Sequence, residues 1–254
     1  MITASLRAVE SDPVREYGDA LAAVTVTRRG RPALEGLRAT LPEQLPLVVV
    51  DTASSERGGD AVRLPEDVGW AAAVNRGVAG LAREVGWVVL TAPGVRWRPG
   101  AVDALRAAAV RHPRAGLLGP AQHGATGRTG GPVPRLRDAV RGRIPGPAGP
   151  GPTGWLSSAA LLVQRSAWDS VDGFDARYLD GPGGFCDIDL GDRMGRAGWL
   201  VVFVPDVVID VEPGDTIVDG HGILEPHAAG LHRFVRDRAR GPARALAALA
   251  RRAL

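Results

Sequence analysis

Pro46-Leu-Val-Val-Val-Asp51-Thr-Ala-Ser-Ser-Glu56 is an unbroken apolar, β-branched run that stops at a carboxylate followed by a small polar loop. A run apolar on both faces reads as a strand buried between two layers. Upstream, Leu21 to Thr27 (LAAVTVT) has the same character; between the two lie a turn at Arg28-Arg29-Gly30-Arg31-Pro32 and a helical stretch from Ala33 to Leu41. Buried strands joined by a helix form a parallel unit. The alternation continues with a helix from about Trp70 to Glu84, a strand at Trp87 to Thr91, a helix at Pro99 to Arg111 and a short strand at Gly116 to Gly119. The expected class is α/β, with a mostly parallel, Rossmann-like sheet covered by helices. In such sheets ligands bind beyond the carboxyl ends of the strands, so Asp51 stands where a base or ribose donates hydrogen bonds. Capping of the following turn is the alternative reading of Asp51.

Between Ala121 and Gly154 the chain turns Gly/Pro-rich and ends in Pro145-Gly-Pro-Ala-Gly-Pro-Gly-Pro152, which is expected to be a long surface loop without regular structure. Order is expected to resume with Trp155 to Gln164, helices at Ser166 to Val171 and Ile188 to Ala197, and a strand at Trp199 to Val204. With no repeat and no second start of the series, residues 20–227 read as one α/β domain and residues 228–254 as a helical C-terminal appendage.

All 31 basic residues are arginine. The absence of lysine excludes a Schiff-base or PLP enzyme, a lysine base and a Walker-A phosphate loop. A single cysteine, Cys186, excludes an intrachain disulfide and a Cys-rich zinc site, and a reducing cytoplasm is the expectation. No secretory signal is expected at the N-terminus, and the most apolar run, Trp199 to Val211, is broken by Pro205, Asp206 and Asp210, so no membrane span is expected. The net charge of +3 is unevenly placed: Ala228 to Leu254 holds seven arginines against Asp237 alone, a local +6 that leaves −3 elsewhere. Nucleic-acid binding is therefore not expected. The tail's apolar residues recur at near-helical spacing, broken at Gly241-Pro242. A basic amphipathic pair of helices suits an anionic membrane surface, and packing on the chain's own domain is the alternative.

Several motif matches fail on context. Gly149-x-Gly151-x-x-Gly154 follows no strand and is filled with prolines, so it is not a dinucleotide fingerprint. No Gly-x-Ser-x-Gly elbow exists. His221 and His227 with Asp215, Asp219 and Glu225 match no standard metal spacing. The Gly-rich loop Asp180 to Gly184 leads to Cys186-Asp187-Ile188-Asp189 at a helix start, where Asp187 and Asp189 suit a base and its neighbour, or a helix cap and first-turn acid.

Five blocks resemble the family 2 glycosyltransferases of GT-A fold, in particular the bacterial rhamnosyltransferase-like branch. Val48-Val-Val-Asp-Thr-Ala-Ser-Ser55 is similar to VVVDNASSD, Val68-Gly-Trp-Ala-Ala-Ala-Val-Asn-Arg-Gly77 to NLGFAAGNNRG, and Trp155-Leu-Ser-Ser-Ala-Ala-Leu-Leu-Val163 to WVSGAALLV. Ser166 to Asp175 is similar to RRSAWDAVGGFD, and Arg196 to Asp206 to RRAGWRVVYVPDA. The resemblance runs from about Leu21 to Leu246 and implies inverting transfer from a nucleotide-sugar donor to a glycan or polyprenyl-linked acceptor. It puts Thr27 and Asp51 at the nucleotide, Asn75 and Arg76 beside the sugar diphosphate, and Asp187 in the role of general base.

The sequence departs from the family at its metal site. Where Asp-x-Asp is expected after the third strand, Val89-Leu-Thr-Ala-Pro-Gly-Val95 places Ala92 and Gly94. Cys186-Asp187 stands for the family's Glu-Asp pair, and Asp210 for a histidine after the last strand. No cofactor is expected with assurance, since Mg²⁺ or Mn²⁺ lacks its usual ligands; Asp210 and Asp189 are the weak alternatives for a displaced ion. Either Arg96, Arg98, His227 or Arg233 offsets the diphosphate charge without a metal, with Asp189, His227 and Arg233 facing acceptor or diphosphate, or the chain is an inactive relative acting as a binding or scaffolding partner.

Overall fold

The computed structural model describes residues 17–27, 31–52, 61–125, 129–135, 149–178 and 184–212, with residues 230, 233, 234 and 236–238 near the C-terminus. Its first half alternates as read: β1 (Ala20–Thr27), α1 (Arg31–Thr40), β2 (Leu47–Thr52), β3 (Val62–Leu64), α2 (Gly69–Ala79), β4 (Val85–Thr91), β5 (Val95–Trp97), α3 (Ala101–Arg111) and β6 (Ala115–His123). There follow β7 (Gly130–Gly131), β8 (Gly151–Thr153), β9 (Trp155–Leu156), β10 (Ala160–Gln164), α4 (Arg165–Ser170), α5 (Phe185–Arg196) and β11 (Leu200–Val211).

The main sheet runs β3-β2-β1-β4-β10-β6-β11-β5, with β8 added on β11; β7 and β9 pair separately. Strands β3, β2, β1 and β4 are mutually parallel, and β11 is parallel to β6. Antiparallel β10 bridges the two parallel groups, which makes the sheet mixed but mostly parallel. Because all the parallel strands point the same way, the carboxyl ends of β1, β2, β3 and β4 share one rim. Val24, Val50, Val89, Leu90, Leu161 and Leu162 form the buried centre of the sheet, as apolar strands covered on both faces require.

Three expectations are corrected, and one strand is added. The helix read to Glu84 stops at Ala79, where Gly80 ends it and residues 81–84 turn into β4 through the Val85 N–H to Ala82 carbonyl bond. The final strand does not end at Val204: a register shift between Val204 and Val208 absorbs Pro205, and the strand continues to Val211. Proline lacks a ladder donor, and an irregularity is where a strand tolerates one. The Gly/Pro-rich stretch is not wholly irregular, since β8 pairs antiparallel with β11 and carries Pro152 on an edge, where a missing N–H costs little. Strand β5, unforeseen because it has three residues, pairs antiparallel with β11 and folds the chain after β4 back against the rim.

The described C-terminal residues are helical and pack on the domain. Phe234 is buried, with its ring centroid 5.8 Å from that of Phe185 at the start of α5. The rest of the tail, with its Gly241-Pro242 break, lies outside the described residues. No helix among the described residues is long and apolar enough to cross a membrane.

Candidate active site

Thr27, Asp51 and Arg63 are register partners at the ends of β1, β2 and β3, so their side chains leave one face of the sheet. Arg63 Nη2 lies 3.3 Å from Asp51 Oδ2, and Thr52 Oγ1 donates to the Thr27 carbonyl. Asp51 is only 7% exposed, and its Oδ1 is buried with no donor among the described residues. A buried acceptor left unpaired costs roughly 1–3 kcal/mol, so a donor brought to Asp51 Oδ1 would be bound favourably. Thr25, two residues back on the same face of β1, has a second buried oxygen without a partner among those residues.

A second group of residues converges on the turn between β9 and β10. The Ser158 N–H donates to Asp187 Oδ2 at 2.9 Å, and Trp70 Nε1, in the first turn of α2, donates to Ser158 Oγ at 3.0 Å. The Ala92 N–H, just past β4, donates to the Ala159 carbonyl, and Ser157 Oγ accepts from the Ala159 N–H. One turn therefore ties the start of α2, the loop after β4 and the start of α5. Asp187 is buried in the first turn of α5, where the positive helix end favours a carboxylate, and the buried Cys186 Sγ lies 3.5 Å from its Oδ1. Ser158, Trp70 and Arg63 were not singled out from sequence. The first two sit inside the resembling blocks, whereas nothing in Val62-Arg-Leu64 marks Arg63.

Ala92, Pro93 and Gly94 are buried and offer no carboxylate. Arg96 closes this loop: its Nη1 donates to the carbonyls of Ala33, Pro93 and Val95, and its Nη2 pairs with Glu212 at 2.8 Å. The Glu212 N–H in turn donates to the Gly94 carbonyl. Asp210 is gripped by Arg98, whose Nε and Nη2 reach its two oxygens at 2.9 and 2.7 Å, with His123 Nδ1 at 3.0 Å. The Arg98 hydrogen bonds, helped by His123, pull its carboxyl down to about 2. Among the described residues no three His, Cys, Asp or Glu side chains converge. Hard divalent cations need several oxygen ligands, so this donor set does not fit the Mg²⁺ or Mn²⁺ site implied by the fold.

The remaining candidates are dispersed. Asn75 lies six residues along α2 from Gly69, about 9 Å away from the helix start, and its amide pairs with both the N–H and the carbonyl of Phe174. It clamps the turn after α4, while Arg76 is exposed beside it. Asp189 gives one oxygen to Arg193 and the other to Arg238. Arg233 stacks over Tyr178, its guanidinium carbon 5.9 Å from the ring centroid. His227 lies outside the described residues, as do His221, Asp215, Asp219 and Glu225.

A mixed, mostly parallel sheet of this order covered by helices, with paired side chains at its strand ends and a buried acid in the first turn of α5, is the arrangement of the GT-A fold. Solved structures share the fold: Mannosyltransferase PcManGT from Pyrobaculum calidifontis, in complex with GDP-Man and Mn²⁺, matches with a TM-score of 0.58 and 16% identity over 94% of this chain and 70% of its own. GalNAc-T7 with UDP, GalNAc and Mn²⁺ matches with a TM-score of 0.58 and 12% identity, over 82% of this chain and 47% of its own. No protein-family model matches the sequence. An N-acetylglucosaminyl-diphospho-decaprenol L-rhamnosyltransferase of Mycobacterium tuberculosis, in strains CDC 1551 and H37Rv alike, is 33% identical over 267 aligned positions, covering 88% of this chain and 86% of the relative. The chain belongs to the family 2, rhamnosyltransferase-like glycosyltransferases, and the scaffold-only alternative is not favoured.

Proposed function

We propose that this glycosyltransferase moves an L-rhamnosyl group from a nucleoside diphosphate donor to a hydroxyl of a polyprenyl-diphosphate-linked N-acetylglucosamine, with inversion and without a divalent metal. The observation that carries the reading is the 33% identity over 88% of the chain to a relative named for that transfer. Asp51, whose Oδ1 has no partner among the described residues, and Thr27 receive the nucleoside. Asp187 removes the proton from the acceptor hydroxyl as that oxygen attacks the anomeric carbon. The bond from that carbon to the diphosphate breaks, and the nucleoside diphosphate leaves with the electron pair.

A leaving diphosphate needs positive charge beside it. Since Ala92 and Gly94 replace the acidic ligands, the charge is assigned to arginine, whose planar fork matches phosphate oxygens. Arg63 and Arg76 are the described candidates with exposed guanidinium groups; the charge of Arg98, also exposed, is met by Asp210. Arg96, engaged with Glu212 and three carbonyls, instead shapes the loop that would otherwise hold a metal. A lipid-linked acceptor puts the enzyme at a membrane surface on the cytoplasmic side, where the arginines of residues 228–254 meet anionic headgroups.

The test is transfer from UDP-, dTDP- and GDP-linked sugars, rhamnosyl donors included, to a short-chain polyprenyl-diphosphate-linked N-acetylglucosamine, with either Mn²⁺ or EDTA. Product of inverted configuration at equal rates in both, and a loss of about 10²–10⁴ in kcat for Asp187→Asn, support the reading. No product from any donor overturns the transfer, and a strict Mn²⁺ requirement overturns metal independence.

A further inference from the structure

Helix α5 is held from two sides. Asp187 is tied to the Ser158 N–H, and Asp189, two residues on and so about 200° around the helix axis, is tied to Arg238 of the C-terminal segment. Arg238 Nη2 lies 2.9 Å from Asp189 Oδ1 and 2.6 Å from Asp192 Oδ2, its Nε donates to Asp192, and its guanidinium carbon stacks 3.7 Å from the Phe234 ring centroid. Arg177 joins Asp237 at 3.1 Å, so the same segment is also fastened to the turn that precedes residues 179–183.

The charges show that Arg238 is not needed for neutralisation. Asp189 already has Arg193 at 2.7 Å and Asp192 has Arg196 at 3.1 Å, both one turn along α5 itself. A third guanidinium leaves this cluster with an excess of positive charge. What it adds is a fixed connection between α5 and the tail, reinforced by the buried contact of Phe234 with Phe185, two residues before Asp187.

We infer that Arg238 is a positioning residue: by gripping Asp189 and Asp192 it fixes the roll of α5 and so holds Asp187 at the Ser158 turn, oriented toward the acceptor hydroxyl. This rests on the reading of Asp187 as the base. A carboxylate that must accept a proton along a short, directed path loses rate steeply when its helix turns, while donor binding at β1 and β2 on the opposite half of the sheet is untouched.

The full chain carries its own reporter, because Cys186 is the sole cysteine, is fully buried and neighbours Asp187. In Arg238→Gln, kcat falls about tenfold with the donor KM within about twofold, Cys186 reacts faster with a thiol reagent in the folded protein, and Arg238→Lys restores part of both. Wild-type kcat and wild-type Cys186 labelling in Arg238→Gln overturn the inference, as does a rise in donor KM with kcat preserved. If Arg238→Gln does not fold, Asp192→Asn, which loosens the grip while leaving Asp189 both of its arginines, is read by the same measurements. Full activity of Asp187→Asn would instead defeat the base assignment, and the Cys186 labelling would still decide whether Arg238 fixes the helix.

Discussion

Asp51 and Asp210 show how two carboxylates at strand ends acquire opposite surroundings. Asp51 is almost buried, touches Arg63 with one oxygen and keeps the other unpaired among the described residues. Asp51→Ala is expected to weaken donor binding by about 1.5–3 kcal/mol, the scale of a hydrogen bond to a charged group, with little loss of fold stability; calorimetric titration with the donor nucleotide checks the first and thermal unfolding the second. Asp210 is exposed and fully paired by Arg98 and His123. Its folded-state pKa, about 2, lies below the ordinary carboxylate value, so its contribution to stability is present above about pH 4 and is lost as the pH falls through about 2. Asp210→Asn should therefore lower the thermal midpoint slightly at neutral pH, and the difference from the parent should vanish near pH 2. The effect is small because exposed pairs contribute little and are screened by salt. In the sequence Asp210 stands for the family's histidine and as an alternative ligand for a displaced ion; its pairing with Arg98 and His123, seen only in the fold, is the physical reason it makes a poor metal ligand.

Among the elements, α5 depends most on close approach. A Cβ at Gly191 would lie 2.3 Å from the Gly154 carbonyl oxygen and 2.8 Å from Trp155 Cα, so the helix carrying Asp187 rests directly on backbone at β9. Gly191→Ala must push α5 outward, at a cost of about 1–3 kcal/mol; chemical denaturation should register that loss, and kcat should fall with it because Asp187 leaves the Ser158 N–H. Gly36 plays a similar part on α1, where a Cβ would meet the Arg96 guanidinium at 2.2 Å. The glycine lets Arg96 cross α1 and reach the loop carbonyls. Long, strongly patterned elements such as β1, β2, β4 and α3 were legible because burial on both faces, or on one helical stripe, leaves a periodic mark in the chain. Three-residue β5 and β8 leave none, since strands that short are specified by the neighbour they pair with.

At the scale of the whole molecule, the proposed function divides the work between the two halves of the sheet. The parallel half ends in Thr27, Asp51 and Arg63, and the mixed half brings Ser158 and Asp187 to the same rim. The described part of the tail is committed to α5 through Phe234 and Arg238, so the proposed membrane contact would fall to the arginines beyond it. The full chain is expected to sediment with vesicles containing about a third anionic lipid at low salt and to be released as salt is raised. A chain shortened after residue 239 should lose that binding, and absence of vesicle binding by the full chain would sink the membrane-surface proposal.

Composition and local pattern were sufficient for several conclusions about this protein. Lysine chemistry was excluded by a count, and the buried βαβ series followed from unbroken apolar runs. Set against the family that the sequence resembles, the missing acidic pair at Ala92 and Gly94 was plain from a single loop. These depend on residue identity and near neighbours alone. What waited for the fold was every relation between distant segments: Arg63 beside Asp51, Ser158 bonded to Asp187 across 29 residues, and Arg238 on Asp189 across 49. An arginine looks the same in sequence whether it faces solvent, closes a loop or grips a buried carboxylate. Only packing removes water from the pair and fixes its geometry, and that is why Arg96, Arg98 and Arg238, alike in the chain, hold three different posts in the molecule.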